Sequence, residues 1–299
     1  MSKALIIGAT GNLTGLTAER LYRASPDSLR VATSRPAGLE TLAQRFPGAE
    51  VVLADWNDEA SLVAAMQGVS RLLVVTPDFF TDENVATSNI ISAAKKAGSI
   101  ELVVRLLSIP PGLTADQLSQ EFLDTRCGAN LHVIAKPLLD ASGLPVCYVN
   151  VPAWIMFNLH LFLAAEVKLS RRIAMPAATQ ANRMWVSEHD IADVMAKILS
   201  ESVSLHVGRE YVLTSPQRYG YSDVAEVFSA VLEEDVTYAQ DDEPLRNLMG
   251  DAYETLMTYF RHETKAYGAV VHSETLSQLL GRPQQTLHDY IKINREAFQ

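Results

Sequence analysis

Short, continuous apolar runs alternate with segments of helical spacing through the first half of this chain. The runs are Ala4–Ile7, Leu29–Thr33, Val51–Leu53, Leu72–Val75, Leu102–Val104 and Val146–Val149. Between most of them, Leu16–Tyr22, Leu39–Phe46, Leu62–Met66 and Val85–Ala97 carry apolar residues at helical intervals. A strand with one wet face alternates apolar and polar residues, whereas a strand covered on both faces does not. Continuous runs separated by amphipathic helices therefore predict an α/β fold, a doubly wound parallel sheet with helices on both faces. Gly48, Gly68, Gly98 and Gly143 stand where those helices should stop, in the position of C-terminal caps.

Beyond residue 150 the alternation loosens. Asp190–Leu199 predicts a helix with Ser187 or His189 near its start, and Glu210–Thr214 predicts a strand. Ser222–Leu232 predicts a helix with Ser222 as its N-cap, and Pro244 to Lys265 reads as helical throughout. These elements suit a smaller C-terminal α/β lobe. The expected division is 1–151 for the sheet domain and 152–299 mainly for the lobe, with part of 182–200 returning to the first domain. No repeat, low-complexity tract or flexible linker interrupts the chain.

Composition narrows the function. With 48% hydrophobic and 20% charged residues, the 299-residue chain can bury a full core. Its 25 basic and 35 acidic residues give a net charge of −10, which opposes direct binding to nucleic acid or to an anionic membrane. Cys127 and Cys147 form no CxxC and no Cys/His cluster, so neither a disulfide framework nor a metal site is expected, and a reduced compartment is. The apolar run after Lys3 is too short for a signal-peptide core. Val151–Val167 is interrupted by Asn158 and His160 and falls short of the roughly 20 residues a membrane span needs. The expectation is a cytoplasmic protein.

The strongest motif is Gly8-Ala9-Thr10-Gly11-Asn12-Leu13-Thr14-Gly15, directly after the first strand and opening the first helix. Glycines there permit a tight turn and close backbone approach to a pyrophosphate, which the helix N-terminus then stabilises. In an NAD site an acid about 20 residues further on binds the ribose hydroxyls. This chain has Ser34-Arg35 in that place, a hydroxyl and a guanidinium suited to a 2′-phosphate. The cofactor expected is NADP(H). The sheet domain is thereby a nucleotide-binding domain and the lobe a substrate lobe.

These residues resemble the NmrA-like branch of the atypical short-chain dehydrogenase/reductases, a Rossmann-type family. The likeness extends beyond the loop to Val52–Asp58 with Leu62, Ala65, Met66 and Gly68, and to Leu73-Val74-Val75-Thr76-Pro77. It continues through Asn89 to Gly98, Lys136, Gly143-Leu144-Pro145, Pro152 to Asn158, and Leu280 to Phe298. The resemblance implies cofactor contacts from Gly8, Thr10, Gly11, Asn12, Leu13, Arg35, Asp55, Thr76, Pro77 and Lys136. It places Asp55 near the adenine, and Thr76 and Pro77 beside the ribose and phosphates. It implies either a reductase, of quinones or azo dyes among others, or an NADP(H)-binding regulator that senses redox state. Three positions depart from the pattern: Thr14 replaces the third loop glycine, Asn150 replaces a frequent arginine, and Val103–Ser108 ends in a single serine.

A short-chain dehydrogenase uses Tyr-x-x-x-Lys, and none of the ten tyrosines here has lysine four residues on. The nearest substitute is His132 with Lys136, where an imidazole stands as proton donor beside a lysine on the same helix face. Pro137 opposes that geometry, because it disfavours helical backbone at Lys136 and fits better as the first residue of a new helix. Trp154, Met156, Phe157 and Asn158 follow the last strand of the sheet domain. They are candidates for an apolar wall with one polar handle in a small-molecule pocket, the alternatives being core packing or a homodimer contact. Two functions follow: an NADPH-dependent reductase of a small apolar conjugated acceptor (quinone, enone, aldehyde or iminium), or a non-catalytic redox sensor that regulates a protein partner.

Overall fold

The computed structural model describes residues 2–179 and 181–299. It contains two compact units. The first comprises Met1–Ile109, Gly128–Asn150 and Ile191–Tyr211, and the second comprises Pro110–Cys127, Val151–Asp190 and Val212–Gln299. Residues 110–127, on the first-domain side of a linear cut at 151, thus group with the second unit, and the returning segment is 191–211.

In the first unit β1 (Ala4–Ile7), α1 (Asn12–Ala24), β2 (Leu29–Thr33), α2 (Pro36–Arg45), β3 (Glu50–Leu53), α3 (Glu59–Met66), β4 (Arg71–Val74), α4 (Glu83–Ala97) and β5 (Leu102–Leu107) alternate without exception. After α5 (Gln120–Asp124), which belongs to the second unit, α6 (Ala129–Asp140) and β6 (Val146–Asn150) continue the pattern. The strand Glu210–Val212 extends the sheet at its β6 edge, giving seven strands in which β5, β4, β1 and β2 are consecutive neighbours. All pairings among β1 to β6 are parallel, with Ile6 of β1 opposite Val31 of β2 and Leu73 of β4. Strands β1, β2, β4, β5 and β6 are buried along their whole length, whereas β3, at the other edge, is not. This is the mostly parallel, Rossmann-type α/β sheet that the continuous apolar runs predict. Strand order reverses between β1 and β4, and in such sheets ligands bind beyond the carboxyl ends at that point.

Local chemistry sets the element ends. Helix α4 starts at Asp82, whose carboxylate accepts from Asn84 N, and stops at Gly98 in the left-handed conformation at φ 67°. Helix α6 corrects one expectation: Pro137 lies inside a single helix rather than opening a new one. An interior proline removes one helical hydrogen bond at a cost of about 3 kcal/mol. The burial of Leu131, Val133, Ala135 and Leu139 along α6 offsets that loss.

The second unit continues with β7 (Trp154–Ile155), α7 (Phe157–Phe162), α8 (Ala164–Ser170), β8 (Arg172–Met175), β9 (Arg183–Val186) and the start of α9 (Glu188–Ser200). After β10 (Glu210–Val212) come β11 (Arg218–Tyr219), α10 (Tyr221–Leu232), β12 (Thr237–Gln240), α11 (Glu243–Met249), α12 (Tyr253–Tyr267), α13 (Thr275–Leu280) and α14 (Leu287–Ile293). Two small sheets, β11-β9-β7 and β12-β8, organise this unit. The N-cap of α10 is Gly220, not Ser222, and Asp223 accepts the Gly220 N–H at 2.8 Å. The helical stretch expected from Pro244 to Lys265 breaks at Gly250, whose φ of 52° is unsuited to a helix. No helix among the described residues is long and apolar enough to cross a membrane.

Candidate functional site

The glycine motif forms the turn that its spacing predicts. Gly8 has φ 70°, Gly11 N donates to Gly8 O at 2.9 Å, and Gly11 then caps α1. A Cβ on Gly11 would meet Thr14 Oγ1 at 2.9 Å and Gly8 O at 3.2 Å, so the turn admits little beyond glycine. Thr14, at the departed third position, closes the turn itself: its hydroxyl donates to Gly8 O at 2.6 Å. Gly15 supplies the close approach instead, since a Cβ there would lie 3.0 Å from Ala9 O and 2.6 Å from an Arg45 nitrogen. The first turn of α1 holds no acidic residue and its cap makes no side-chain hydrogen bond. An anion placed there meets the positive end of a 13-residue helix without competition from a carboxylate. The cradle fits a pyrophosphate.

The other expected contacts leave the carboxyl ends of neighbouring strands. Beyond β2, Ser34 and Arg35 are exposed, and Arg35 caps α2 ahead of Pro36. Beyond β3, Asp55 is half-buried; its carboxylate accepts from Asn57 N at 2.9 Å, and its own N–H donates to Ser61 Oγ at 2.9 Å. Beyond β4, Pro77 is exposed while Thr76 is buried. Gly8, Thr10, Asn12, Arg35, Asp55 and Thr76 thus share one edge of the sheet, on both sides of the strand-order reversal. Leu13 differs from them, because its side chain is buried in the core.

A buried charged network under this edge had no place in the sequence reading. Arg105 and Glu83 are both fully buried, and Arg105 Nη2 meets Glu83 Oε1 at 2.5 Å. Thr76 donates to the same oxygen at 2.5 Å and accepts from Arg105 Nη2 at 2.9 Å, while Thr87 donates to Glu83 Oε2 at 2.5 Å. The visible signal was a lone arginine inside the apolar run Leu102–Leu107, where a strand buried on both faces leaves a cation no route to water. Close by, His132 accepts the Ser108 N–H on Nδ1 at 2.7 Å, which places the imidazole proton on Nε2. Burial, reinforced by the Arg105 charge, holds His132 well below the usual histidine range, so the ring is neutral. Asn150 is also structural in this position: its amide accepts from Ile109 N and donates to Ile109 O, each at 2.9 Å, and it donates to Glu210 at 2.7 Å.

Lys136 lies one turn after His132 on the same helix, but their side chains serve different surroundings. The ammonium is 2.9 Å from Asp140 and 3.8 Å from Glu210, and it sits 4.7 Å above the Tyr148 ring. Tyr148 donates to Asp140 at 2.7 Å, and burial together with that bond pushes its hydroxyl above the ordinary tyrosine range.

In the second unit, Trp154 is a core residue. Its ring stacks on Phe260 at 5.4 Å and meets Trp185 edge-on, Arg183 lies 4.8 Å over it, and its indole N–H donates to buried Glu263. Burial raises the Glu263 carboxyl against the lowering effect of Arg183. Phe157 and Asn158 are half-buried at the start of α7. Met156 lines a cavity of about 560 Å³ within this unit, together with Trp185, Tyr219, Gln278, Arg282 and Leu287 among others. Of the four segment residues, Met156 alone is among the described residues that line it.

The turn, the helix dipole and the switch point define a dinucleotide-binding protein of Rossmann type. Residues 1–291 match the model of the NmrA-like family, and the chain belongs to that family. Quinone oxidoreductase 2 of Escherichia coli strain K12 is 27% identical over 293 residues, with 96% of each chain covered. The triphenylmethane reductase of Citrobacter sp., solved with NADP(H), superimposes with a TM-score of 0.79 at 22% identity, covering 97% of this chain and 99% of that one. NmrA, a negative transcriptional regulator solved with NADP, gives 0.74 at 18% identity, covering 99% and 97%.

Proposed function

We propose that this protein is an NADPH-dependent reductase that delivers hydride to a small, apolar, conjugated acceptor such as a quinone, enone, aldehyde or iminium. The single observation that carries the reading is the acid-free N-terminus of α1 behind the Gly8–Gly15 turn, capped by Gly11 with no side-chain hydrogen bond. The cofactor is NADP(H), and it supplies the hydride. The backbone of Gly11 to Leu13 holds its pyrophosphate, while Ser34 and Arg35 hold the 2′-phosphate with a hydroxyl and a permanent cation. Asp55 flanks the adenine, and Thr76 with Pro77 flanks the ribose. With a carbonyl acceptor, neutral His132 would donate a hydrogen bond from Nε2 to the oxygen on which negative charge grows, and solvent would provide the proton; an iminium acceptor would need neither. An electron-poor acceptor needs no stronger acid, which accords with the missing Tyr-x-x-x-Lys pair. Lys136 has a positioning role through Asp140 on α6.

A second reading, an NADP(H)-binding sensor that regulates a protein partner, draws support from the same missing pair and from the likeness to NmrA. One experiment separates the two. Purified protein is titrated with NADPH and NADH by cofactor fluorescence, then assayed for NADPH oxidation against a panel of quinones, enones, aldehydes and iminium ions. The reductase reading expects tighter binding of NADPH and turnover of at least one acceptor. Tight binding without turnover on the whole panel favours the sensor, and no binding of either nucleotide refutes both.

A further inference from the structure

The loop leaving the carboxyl end of β4 reads Val75-Thr76-Pro77-Asp78-Phe79-Phe80-Thr81-Asp82. Phe79 has φ 67°, a left-handed conformation that a bulky side chain disfavours and that persists where the surroundings impose it. The surroundings here do impose it. Thr76 is anchored in the Arg105–Glu83 network, Thr81 donates to Pro77 O at 2.7 Å, and the Asp78 carboxylate accepts the Gly128 N–H at 2.9 Å. The turn is held at both ends, and its result is to leave Phe80 84% exposed. The phenyl ring is thus presented to water on a tethered, strained turn and contributes nothing to the core.

The tether also sets a direction. Gly128 caps α6, which follows β5, so Asp78 ties the loop toward the β5–β6 half of the sheet. Arg35 and Asp55 leave the other half, at β2 and β3. In a doubly wound sheet the two halves take the two halves of a dinucleotide, and the half with Arg35 and Asp55 is the adenylate half. Phe80 therefore belongs to the half that takes the reacting ring.

We propose that Phe80 determines acceptor specificity, its ring stacking on a planar aromatic acceptor lying against the nicotinamide. This rests on the reductase reading and deepens it, because it selects flat aromatic acceptors over aliphatic ones. Stacking of two aromatic rings accounts for up to about tenfold in affinity. Phe80 is exposed, so its substitution leaves the core intact.

The test compares wild type with Phe80→Ala and Phe80→Trp on 1,4-naphthoquinone and 2-cyclohexenone. NADPH affinity is measured in parallel by fluorescence. Calorimetric titration with 2-naphthol in the presence of NADP⁺ gives a readout that needs no turnover. Phe80→Ala is expected to raise KM for the naphthoquinone and Kd for 2-naphthol about five- to tenfold. Its kcat, its NADPH affinity and its KM for cyclohexenone stay unchanged, and Phe80→Trp restores the aromatic preference. Equal effects on both acceptors, or weakened NADPH binding with acceptor constants intact, overturn the assignment. If wild type reduces neither acceptor, the full panel of quinones, enones, aldehydes and iminium ions decides the reductase reading separately. The 2-naphthol titration then still decides the residue: weaker binding to Phe80→Ala retains the stacking site, and equal binding removes it.

Discussion

Replacing Glu83 by glutamine keeps the side chain's shape while removing the negative half of a pair that has no access to water. Arg105 and Glu83 are both fully buried and meet at 2.5 Å, and Glu83 also receives the hydroxyls of Thr76 and Thr87. In Glu83→Gln the guanidinium stays buried without a counter-charge, and the new amide N–H₂ faces donors that it cannot accept from. Breaking a buried pair by removing one partner costs about 3–5 kcal/mol. Replacing both partners by apolar residues of similar volume is close to neutral, so Glu83→Leu with Arg105→Met should recover most of the loss. The assay is urea denaturation followed by circular dichroism at neutral pH. With a slope near 3 kcal/mol per molar urea, Glu83→Gln should lower the midpoint of the first unit by about 1 M or more. Because Thr76 leans on the same carboxylate, NADPH binding should weaken as well. A Glu83→Gln midpoint indistinguishable from wild type, or a double variant worse than the single one, would refute the account of a desolvated pair.

Arg35→Ala should weaken NADPH binding by roughly 10- to 100-fold, as expected for loss of a hydrogen bond to a charged group, and leave NADH binding unchanged. Comparative fluorescence titration reads the difference, and equal losses for the two nucleotides would remove Arg35 from the 2′-phosphate. His132 gives a pH prediction. Its folded pKa lies well below the unfolded value near 6.5, so the unfolded chain binds the extra proton as pH falls. Its contribution is complete above about pH 6.5 and declines toward lower pH by up to about 1.4 kcal/mol per unit. The stability difference between wild type and His132→Gln, measured at pH 7 and pH 5, should shrink at the lower pH, and a constant difference would contradict the neutral ring. Gly11→Ala should abolish measurable NADPH binding while leaving the circular dichroism spectrum unchanged, because its Cβ meets Thr14 Oγ1 at 2.9 Å beside the phosphate cradle. Normal affinity in that variant would count against the turn as the anion site.

The alternation of apolar runs and amphipathic helices determined the parallel sheet, because a strand covered on both faces leaves a continuous hydrophobic signature whatever its neighbours are. Gly8, Gly11 and the acid-free start of α1 were legible for a related reason, since a turn and a helix N-terminus are built from residues adjacent in sequence. Tertiary structure decided what depends on neighbours distant in the chain. The lone Arg105 signalled a buried cation, but its partners Glu83 and Thr76 are set by packing between segments distant in the chain. His132 looked like an acid until Ser108 and Arg105 fixed its proton and kept it neutral. Trp154, which the sequence offered either to an apolar wall or to core packing, is enclosed by Phe260, Trp185 and Arg183, which approach from 29 to 106 residues away along the chain. Pro137 stayed within α6 because burial along the helix, which local propensity does not register, outweighs one lost hydrogen bond. Periodicity reports which face of an element meets the core, but a side chain's charge state and partners follow from the three-dimensional packing around it.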